Sequence, residues 1–165
     1  MPNHSTTMPS PVGLLTLIAS DAGLRAVLWE NDRPGRVRLD AAVDAPDHPV
    51  LRCAERELRD YFAGARQRFT VALDPVGTVF QQQVWAALLT IPFGETRSYA
   101  EIARQIGRPQ ASRAVGAANG RNPISIIAPC HRVIGANGAL TGFAGGLEVK
   151  EFLLRHERQC RAKAA

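Results

Sequence analysis

The sequence predicts a mixed α/β (α+β) chain, with a small sheet domain at residues 1–76 and a mainly helical domain at residues 77–165. Two observations lead to this prediction. Short apolar runs of strand length fill the first part of the chain, whereas helical spacing prevails after the breaking segment Asp74-Pro75-Val76-Gly77. The length of 165 residues and the 45% hydrophobic content suffice for one ordinary domain or two small ones.

The charge of the chain favours an acidic partner. The net charge is +5, and all basic residues except Lys150 and Lys163 are arginine, whose planar guanidinium pairs well with phosphate. A merely basic surface explains this composition equally well.

The cysteines and the N-terminus bear on the compartment. Cys53, Cys130 and Cys160 are an odd number at wide spacing, which indicates neither a disulfide framework nor a zinc ribbon. The N-terminal stretch MPNHSTTMPSPVG lacks a charged start followed by an apolar core, and no apolar run approaches the roughly 18 residues of a membrane helix. We therefore expect a cytoplasmic protein without a membrane segment.

The predicted sheet domain contains a hairpin, a loop, a helix and a strand. Apolar runs at residues 14–19 and 24–29, separated by Asp21-Ala22-Gly23, predict the hairpin. The polar stretch 31–47 predicts an irregular loop. Apolar positions at helical spacing from Pro49 predict a helix that stops at Gly64, and RFTVAL at residues 68–73 predicts one more strand.

Two helices with a shared start signal open the second domain. Each begins with a capping box, in which a hydroxyl and a side-chain carbonyl satisfy the first free backbone N–H groups, the pairs being Thr78 with Gln81 and Ser98 with Glu101. The first helix is predicted to carry an apolar face as far as Ile91, and the second to run from Tyr99 to Gly107.

A third helix is predicted within QASRAVGAANG, closed by Gly120. Two short helices joined by a tight glycine-containing turn are typical of a helix-turn-helix. A helix without bulky side chains can approach a partner surface closely, although close packing against another helix is an equally good explanation. Arg113 is the exception among small neighbours, which are Ala111, Ser112, Ala114, Gly116, Ala117 and Ala118.

The segment that follows predicts strands. ISIIAPCHRVI is a β-branched run broken by Pro129, and Asn137-Gly138 is a signal for a type I′ hairpin. A hairpin after a helix-turn-helix is typical of the wing of a winged helix-turn-helix domain. A last helix is predicted with Val149, Phe152, Leu153 and His156 on one face.

The pair Cys130 and His131 raises the possibility of thiol chemistry. A thiol with a pKa of about 8.5 is only a few per cent thiolate at neutral pH and needs a base or cation nearby. Neighbours on a strand point to opposite faces, so contact requires a turn at Pro129 or a bridging water. Glu157 on the last helix can orient His131, but an inert packing cysteine and a surface pair of Glu157 with Arg161 are the alternatives.

These motifs together resemble the active-site region of the O6-alkylguanine-DNA alkyltransferases, also called methylated-DNA-protein-cysteine methyltransferases. The resemblance runs without a gap from Phe80 to Glu157, and the stretches that carry it are FQQQVWAALLTIPFGETRSYAEIA, SRAVGAANG, NPISIIA, PCHRVIG and GALTGFAGGLEVKEFLLRHE. The N-terminal hairpin SPVGLLTLIASDAGL is similar to the ribonuclease-H-like domain of that family.

The resemblance implies a role for each matching residue. Cys130 takes the place of the alkyl acceptor, and His131 with Glu157 the places of its water-bridged activating partners. Tyr99 takes the place of a tyrosine that donates a proton or hydrogen bond to the departing guanine. Arg113 takes the place of an arginine that fills the base stack after a nucleotide is extruded.

The same resemblance implies a minor-groove helix and a base pocket. The helix that contacts DNA carries Ala111, Ser112, Ala114 and Gly116. Asn122 takes the place of the residue that fixes the link from this helix to the active-site strand, and Val133 with the backbone of Phe143, Ala144 and Gly145 the places of the pocket. The family often has tyrosine and serine where this chain has Phe143 and Ala144, so contacts from those hydroxyls are missing.

The function implied is single-turnover DNA repair. The alkyl group of O6-alkylguanine in duplex DNA, with O4-alkylthymine as a second candidate, would pass irreversibly to Cys130 after base flipping. No cofactor is implied, and no metal site either, because the paired cysteines of zinc-containing relatives are missing ahead of Cys53. The resemblance implies a monomer in solution and leaves cooperative assembly on DNA open.

Three alternatives remain at the level of sequence. A non-enzymatic lesion-binding protein of the same fold would replace the acceptor cysteine, commonly with tryptophan, whereas Cys130 is present. A winged-helix regulator would use Arg113 to recognise a DNA site and would leave Cys130, His131 and Glu157 unexplained. A cysteine hydrolase would need an oxyanion hole, for which the sequence offers no separate signal.

Overall fold

The structure, a computed structural model, describes the backbone of residues 2–140 and 142–164. The chain forms two compact units, residues 1–76 and residues 77–165. The first holds a four-stranded sheet and one helix, and the second is mainly helical, so the predicted α/β class is confirmed. Within the described ranges, no helix combines the length and the apolar character needed to cross a membrane.

The first unit is built on a sheet with the strand order β3-β2-β1-β4. Its strands are β1 (Asn3–Met8), β2 (Leu15–Ala19), β3 (Leu24–Leu28) and β4 (Ala42–Asp44). Strands β2 and β3 pair antiparallel, which confirms the predicted hairpin. Strand β1 pairs antiparallel with β2 and parallel with β4.

Strands β1 and β4 correct the sequence prediction, which had assigned no strand to residues 3–8 and only a loop to residues 31–47. Strand β1 is mostly polar, and β4 is exposed at all three positions, so neither shows an apolar run. The pairing of β4 with β1 joins segments that are far apart in the chain, and sequence periodicity does not detect such a partner.

Helix α1 (Pro49–Phe62) is confirmed, with its end followed by Gly64 at φ +77°. Its buried face includes Glu57, whose carboxylate accepts hydrogen bonds from the N–H groups of Thr70 and Val71 at 2.9 Å each. These amides are therefore not available for a sheet ladder. The strand predicted at residues 68–73 is consequently wrong, and only an isolated bridge from Leu73 to Leu24 forms.

Helices α2 (Val79–Leu88) and α3 (Tyr99–Gln105) open the second unit, each with both hydrogen bonds of its predicted capping box. Helix α2 ends three residues before the predicted Ile91, which is nevertheless buried. Gly77 precedes α2 at a point where a Cβ atom would lie 2.5 Å from the Trp85 ring, so no larger residue fits without a shift.

Helix α4 (Ser112–Gly120) completes the helix-turn-helix with α3, as predicted. The indole N–H of Trp85 donates to the Ala118 carbonyl at 2.8 Å and fastens α4 to α2. Helix α5 (Leu147–Ala164) ends the chain.

The segment between α4 and α5 differs from the prediction. Residues 121–129 form turns and bends, residues 130–132 form one 3₁₀ turn, and only β6 (Val133–Ile134) is a strand, paired parallel with β5 (Arg97–Ser98). The strand predicted for the whole β-branched run is wrong. Ile126 at φ +74° and the Asn122 side chain, bonded within the segment, bend the chain out of an extended path.

The predicted type I′ hairpin is also corrected. A turn does form, with the Gly138 N–H donating to the Gly135 carbonyl at 2.9 Å. Asn137 does not have the positive φ that a type I′ turn requires. Among the described residues no antiparallel strand pair flanks this turn, because Ile134 pairs with Ser98 instead.

Candidate active site

Cys130 lies at the start of the 3₁₀ turn and is 4% exposed. It belongs to the apolar core cluster of the second unit, together with buried residues of α2, α3 and α4 and with Val133. Tyr99 and Phe143 are half-buried and pack against the same cluster. The structure thus brings Cys130, Tyr99, Val133 and Phe143 together from three separate parts of the sequence.

His131 and Glu157 form a buried pair. The His131 Nε2 atom lies 2.6 Å from Glu157 Oε2, and the side chains are 0% and 1% exposed. The 3₁₀ turn removes the strand geometry that would have sent Cys130 and His131 to opposite faces. The other ring nitrogen of His131, Nδ1, is buried and has no hydrogen-bond partner among the described residues.

Arg132 is a site residue that sequence reasoning missed. It forms a salt bridge with the Glu157 carboxylate. Its guanidinium donates from Nε to Glu157 Oε1 at 2.7 Å and from Nη2 to Oε2 at 3.1 Å. It also donates from Nη1 to the Ile91 carbonyl at 2.7 Å and lies over the ring of Phe93. Arg161, the alternative partner of Glu157, donates to the Gly94 carbonyl instead.

The electrostatics favour an ionised Glu157 and a neutral His131. Burial raises the pKa of the Glu157 carboxyl, but the contacts with His131 and Arg132 more than offset this and hold the pKa well below its usual range. Burial lowers the pKa of His131, and the attraction of Glu157 only partly opposes it. Neutral His131 therefore donates its Nε2 proton to the carboxylate and keeps a lone pair on Nδ1.

Lys150 is a second residue that sequence reasoning missed. Its side chain is fully buried, its Nζ donates to the Val133 carbonyl at 2.7 Å, and it lies 5.9 Å from the centre of the Phe143 ring. Burial lowers the pKa of Lys150, and the charge of Cys130 opposes that shift. The attraction is mutual, so the Lys150 cation favours the thiolate form of Cys130.

The helical wheel contained a signal for Lys150. On α5 the positions Lys150, Leu153, Leu154 and Glu157 follow i, i+3, i+4, i+7 spacing, so they share one face, and all four are buried. A lysine that shares an otherwise apolar face with a candidate carboxylate indicates a buried functional cation. Arg132 offered a weaker signal, namely its position directly after the cysteine and histidine.

Tyr99 and Gly116 lie against each other. Tyr99 is the first residue of α3, directly after the capping box. A Cβ atom on Gly116 would lie 3.7 Å from two carbons of the Tyr99 ring, so the glycine faces the tyrosine across the helix pair. Gly116 is half-buried and belongs to this inner side of α4 rather than to its exposed side.

The exposed side of α4 carries Arg113, Ala114 and Ala117, and Arg121 extends it beyond the helix end. Ala111 and Ser112 are half-buried at the start of the helix. The inward face holds Val115, Ala118 and Asn119. Ala117 belongs to the small residues that the sequence indicated for close approach, whereas Arg121 was not identified from the sequence.

Asn122 and the segment after the turn complete the surroundings of Cys130. The Asn122 amide donates to the Ala128 carbonyl at 2.8 Å and accepts from the Ile124 N–H at 3.1 Å, so it spans the turns that lead to Cys130. Phe143, Ala144 and Gly145 are half-buried, and a tight turn follows in which the Gly146 N–H donates to the Phe143 carbonyl.

Comparison with known families assigns both units. Residues 79–159 match the model described as 6-O-methylguanine DNA methyltransferase, DNA binding domain, and residues 3–75 match the ribonuclease-like domain of the same family. The chain belongs to the 6-O-methylguanine DNA methyltransferase family. The resemblance noted in the sequence is thereby confirmed.

Several relatives of this methyltransferase-family chain match over nearly their whole length. The methylated-DNA–protein-cysteine methyltransferase of Methanosarcina acetivorans is 53% identical over 156 residues, 92% of this chain and 96% of that protein. The protein of the same name in Mycobacterium bovis is 52% identical over 157 residues, covering 94% and 92%. The crystal structure of Mycobacterium tuberculosis OGT in complex with DNA has a TM-score of 0.85 and 50% identity, covering 95% of this chain and 94% of that one.

The Cys130 region of this methyltransferase-family chain contains a thiol, an imidazole and a carboxylate. Among the described residues, the group with metal-ligating spacing is His4, Asp21 and His48, all in the first unit. What the Cys130 set offers chemically is a nucleophilic sulfur with a neutral base and a buried cation nearby.

Proposed function

We propose that this chain repairs DNA by transferring the alkyl group, chiefly methyl, from O6-alkylguanine in duplex DNA to the sulfur of Cys130. The function class is that of the family, whose members named above are methylated-DNA–protein-cysteine methyltransferases. The observation that carries the assignment to Cys130 is its position beside the buried His131–Glu157 pair and Lys150.

We infer that the thiol is activated through His131. Glu157 accepts the Nε2 proton, and the lone pair on the buried Nδ1 can take the thiol proton through one bridging water. Arg132 keeps Glu157 ionised, and the Lys150 cation stabilises the thiolate. His131 is then a base that becomes charged only while the sulfur is negative.

The transfer itself is a displacement at the alkyl carbon. A carbon–sulfur bond forms to Cys130, the bond from that carbon to guanine O6 breaks, and guanine leaves with the electron pair. Tyr99, at the start of α3 and against the same cluster, donates a proton or hydrogen bond to the departing base. The thioether formed is not hydrolysed by water, so each molecule acts once and needs no cofactor.

Access to the lesion requires the nucleotide to leave the duplex, at a cost of about a few kcal/mol. We propose that the exposed side of α4 lies in the minor groove, where Ala111, Ser112 and Ala114 permit close approach and Arg113 fills the stack. Gly116 lies on the inner side of α4, where it packs against the ring of Tyr99. Val133 with the backbone of Phe143, Ala144 and Gly145 forms the pocket for the flipped base.

The remaining assignments are proposals at the level of the whole chain. Residues 77–165 carry the chemistry and the DNA contacts, and residues 1–76 are the ribonuclease-like domain. We propose that the protein acts as a monomer and works in the cytoplasm. Alkylated guanine is the main substrate, and O4-alkylthymine is the second.

The alternative functions fit the site less well. A lesion binder without transfer chemistry has no need of a buried imidazole–carboxylate pair beside its cysteine. A winged-helix regulator leaves the buried charges of Arg132, Lys150 and Glu157 unexplained. A cysteine hydrolase needs oxyanion donors and a hydrolysable intermediate.

The decisive experiment is intact-mass measurement after mixing the protein with duplex DNA that contains O6-methylguanine. The wild type should gain one methyl group and no more, on Cys130. Cys53→Ser and Cys160→Ser should gain it as well, and Cys130→Ser should gain none. A methyl group found on the Cys130→Ser protein would refute the assignment.

A further inference from the structure

Three side chains of the first unit converge on one carboxylate oxygen outside the site described so far. His4 on β1 and His48 at the start of α1 each place Nε2 at 3.1 Å from Oδ1 of Asp21, which lies in the turn between β2 and β3. The two imidazole rings are stacked, with centroids 4.3 Å apart and 25° between their planes. We call these three residues the His-Asp-His cluster.

The spacing of the cluster suits a small divalent ion. Its three ligand atoms all lie within 4.8 Å of one another. Zinc binds imidazole nitrogen and carboxylate oxygen at about 2.0–2.2 Å, so two ligand atoms of a tetrahedral site lie roughly 3.3 Å apart. The two nitrogen–oxygen distances of 3.1 Å are close to that value, and side-chain rotation suffices to seat an ion.

We propose that the His-Asp-His cluster is a binding site for a divalent transition-metal ion, with zinc as the reference ion. Two imidazole nitrogens and one carboxylate oxygen favour zinc, cobalt, nickel or copper over magnesium and calcium, which prefer all-oxygen ligands. Water completes the coordination, because the Asp21 side chain is 64% exposed.

The charges of the cluster support a cation. Asp21 supplies the negative charge of the cluster, and its Oδ1 atom lies 3.1 Å from Nε2 of both histidines. The side chains of His4 and His48 are 23% and 13% exposed, so solvent reaches them while packing fixes their orientation. A metal ion replaces the two N–H groups that both point at one oxygen.

Metal binding would change one local contact. His48 Nδ1 accepts a hydrogen bond from the Val50 N–H at 3.3 Å and caps α1. An ion on Nε2 requires the proton on Nδ1, so the cap is exchanged for a cross-link that ties β1, the hairpin turn and α1 together. The expected role is therefore structural, within the first unit and separate from the chemistry at Cys130.

The test uses the full-length protein and zinc in competition with a chromophoric chelator. One equivalent of zinc should bind, thermal unfolding should shift upward, and magnesium should produce no shift. His48→Asn, which keeps a good helix cap, and Asp21→Asn, which keeps an acceptor oxygen, should each weaken zinc binding at least about tenfold. Thermal unfolding without metal shows that each variant is folded.

A second thiol–imidazole pair provides the control. Cys160 Sγ lies 3.8 Å from both ring nitrogens of His156 on α5, and this pair is the rival zinc ligand. Cys160→Ser should leave the affinity unchanged, and the cobalt complex should show no sulfur-to-cobalt charge transfer. The proposal would be overturned if the protein bound no zinc or if the cobalt complex showed sulfur-to-cobalt absorption. It would also be overturned if His48→Asn and Asp21→Asn left the zinc affinity unchanged.

Discussion

Two buried cations decide the character of the candidate site. Arg132 and Lys150 are 6% and 0% exposed, and both donate hydrogen bonds to the carbonyl groups of buried residues. Basic residues are rarely buried unless they are paired, and the composition indicated either phosphate pairing by the arginines or a merely basic surface. The sequence therefore identified Cys130, His131 and Glu157, whereas the cations that set their charge states needed the tertiary structure.

Arg132→Lys should slow methyl transfer by about tenfold, because an ammonium group cannot hold both carboxylate oxygens of Glu157. The rate is measured in a single turnover on O6-methylguanine duplex across a range of pH. The pH profile should shift as well, since Arg132 acts through Glu157 and His131. Arg161→Lys, an exposed change on α5, is the matched control, and equal rates for the two variants would contradict the role of Arg132.

Elements whose signals are local were predicted well from sequence. Both capping boxes, the β2–β3 hairpin and helices α1 to α5 depend on residues within a few positions of each other. Strands β1, β4, β5 and β6 depend on partners elsewhere in the chain, and the β-branched run before Cys130 became turns. That run was misread because apolar content marks burial and does not distinguish a buried turn from a strand.

Helix α4 carries the prediction at this scale. Arg113→Ala should lower the transfer rate on duplex DNA by about tenfold and leave the rate on single-stranded DNA nearly unchanged, since only the duplex has a stack to fill. Stability should stay within about 0.5 kcal/mol because Arg113 is exposed.

The control for α4 is Arg59→Ala, which removes another exposed arginine, from α1 in the first unit. Both rates should match the wild type in this variant. An Arg113→Ala protein with an unchanged duplex rate would show that the side chain does not enter the stack.

At the scale of the whole molecule, each unit holds a buried carboxylate with a lowered pKa. Burial raises the pKa of Glu57, but the hydroxyl of Thr70 and the backbone N–H groups of Val71 and Thr70 bring it below the usual value. The contacts of Glu157 with His131 and Arg132 lower the pKa of its carboxyl in the same way. Among the residues that the structure describes, only those of the second unit include a fully buried histidine, His131, whose pKa is lowered.

The pH dependence of unfolding follows from these shifts. His131 has a lowered folded-state pKa, so its stabilising contribution is complete above about 6.5, its ordinary value, and is lost as the pH falls below it. Glu57 and Glu157 contribute above about 4.5 and are lost only at lower pH. Stability of the second unit should therefore fall between pH 7.5 and 5.5, by at most about 1.4 kcal/mol per pH unit.

Urea unfolding followed by Trp85 fluorescence measures this dependence. Trp29→Phe makes Trp85 the sole tryptophan, because the chain has two. Adding His131→Gln should flatten the dependence between pH 7.5 and 5.5. An equal loss of stability on acidification with and without His131 would mean that another group is responsible.

The close packing around Gly77 has a consequence for the expression of the two units as separate polypeptides. A side chain there would collide with the indole ring of Trp85, and that same ring fastens α4 through the Ala118 carbonyl. A cloning scar, affinity tag or spacer therefore belongs upstream of Gly77. The glycine itself has to remain as the junction residue if the recombinant fragment is to keep α4 in its place against α2.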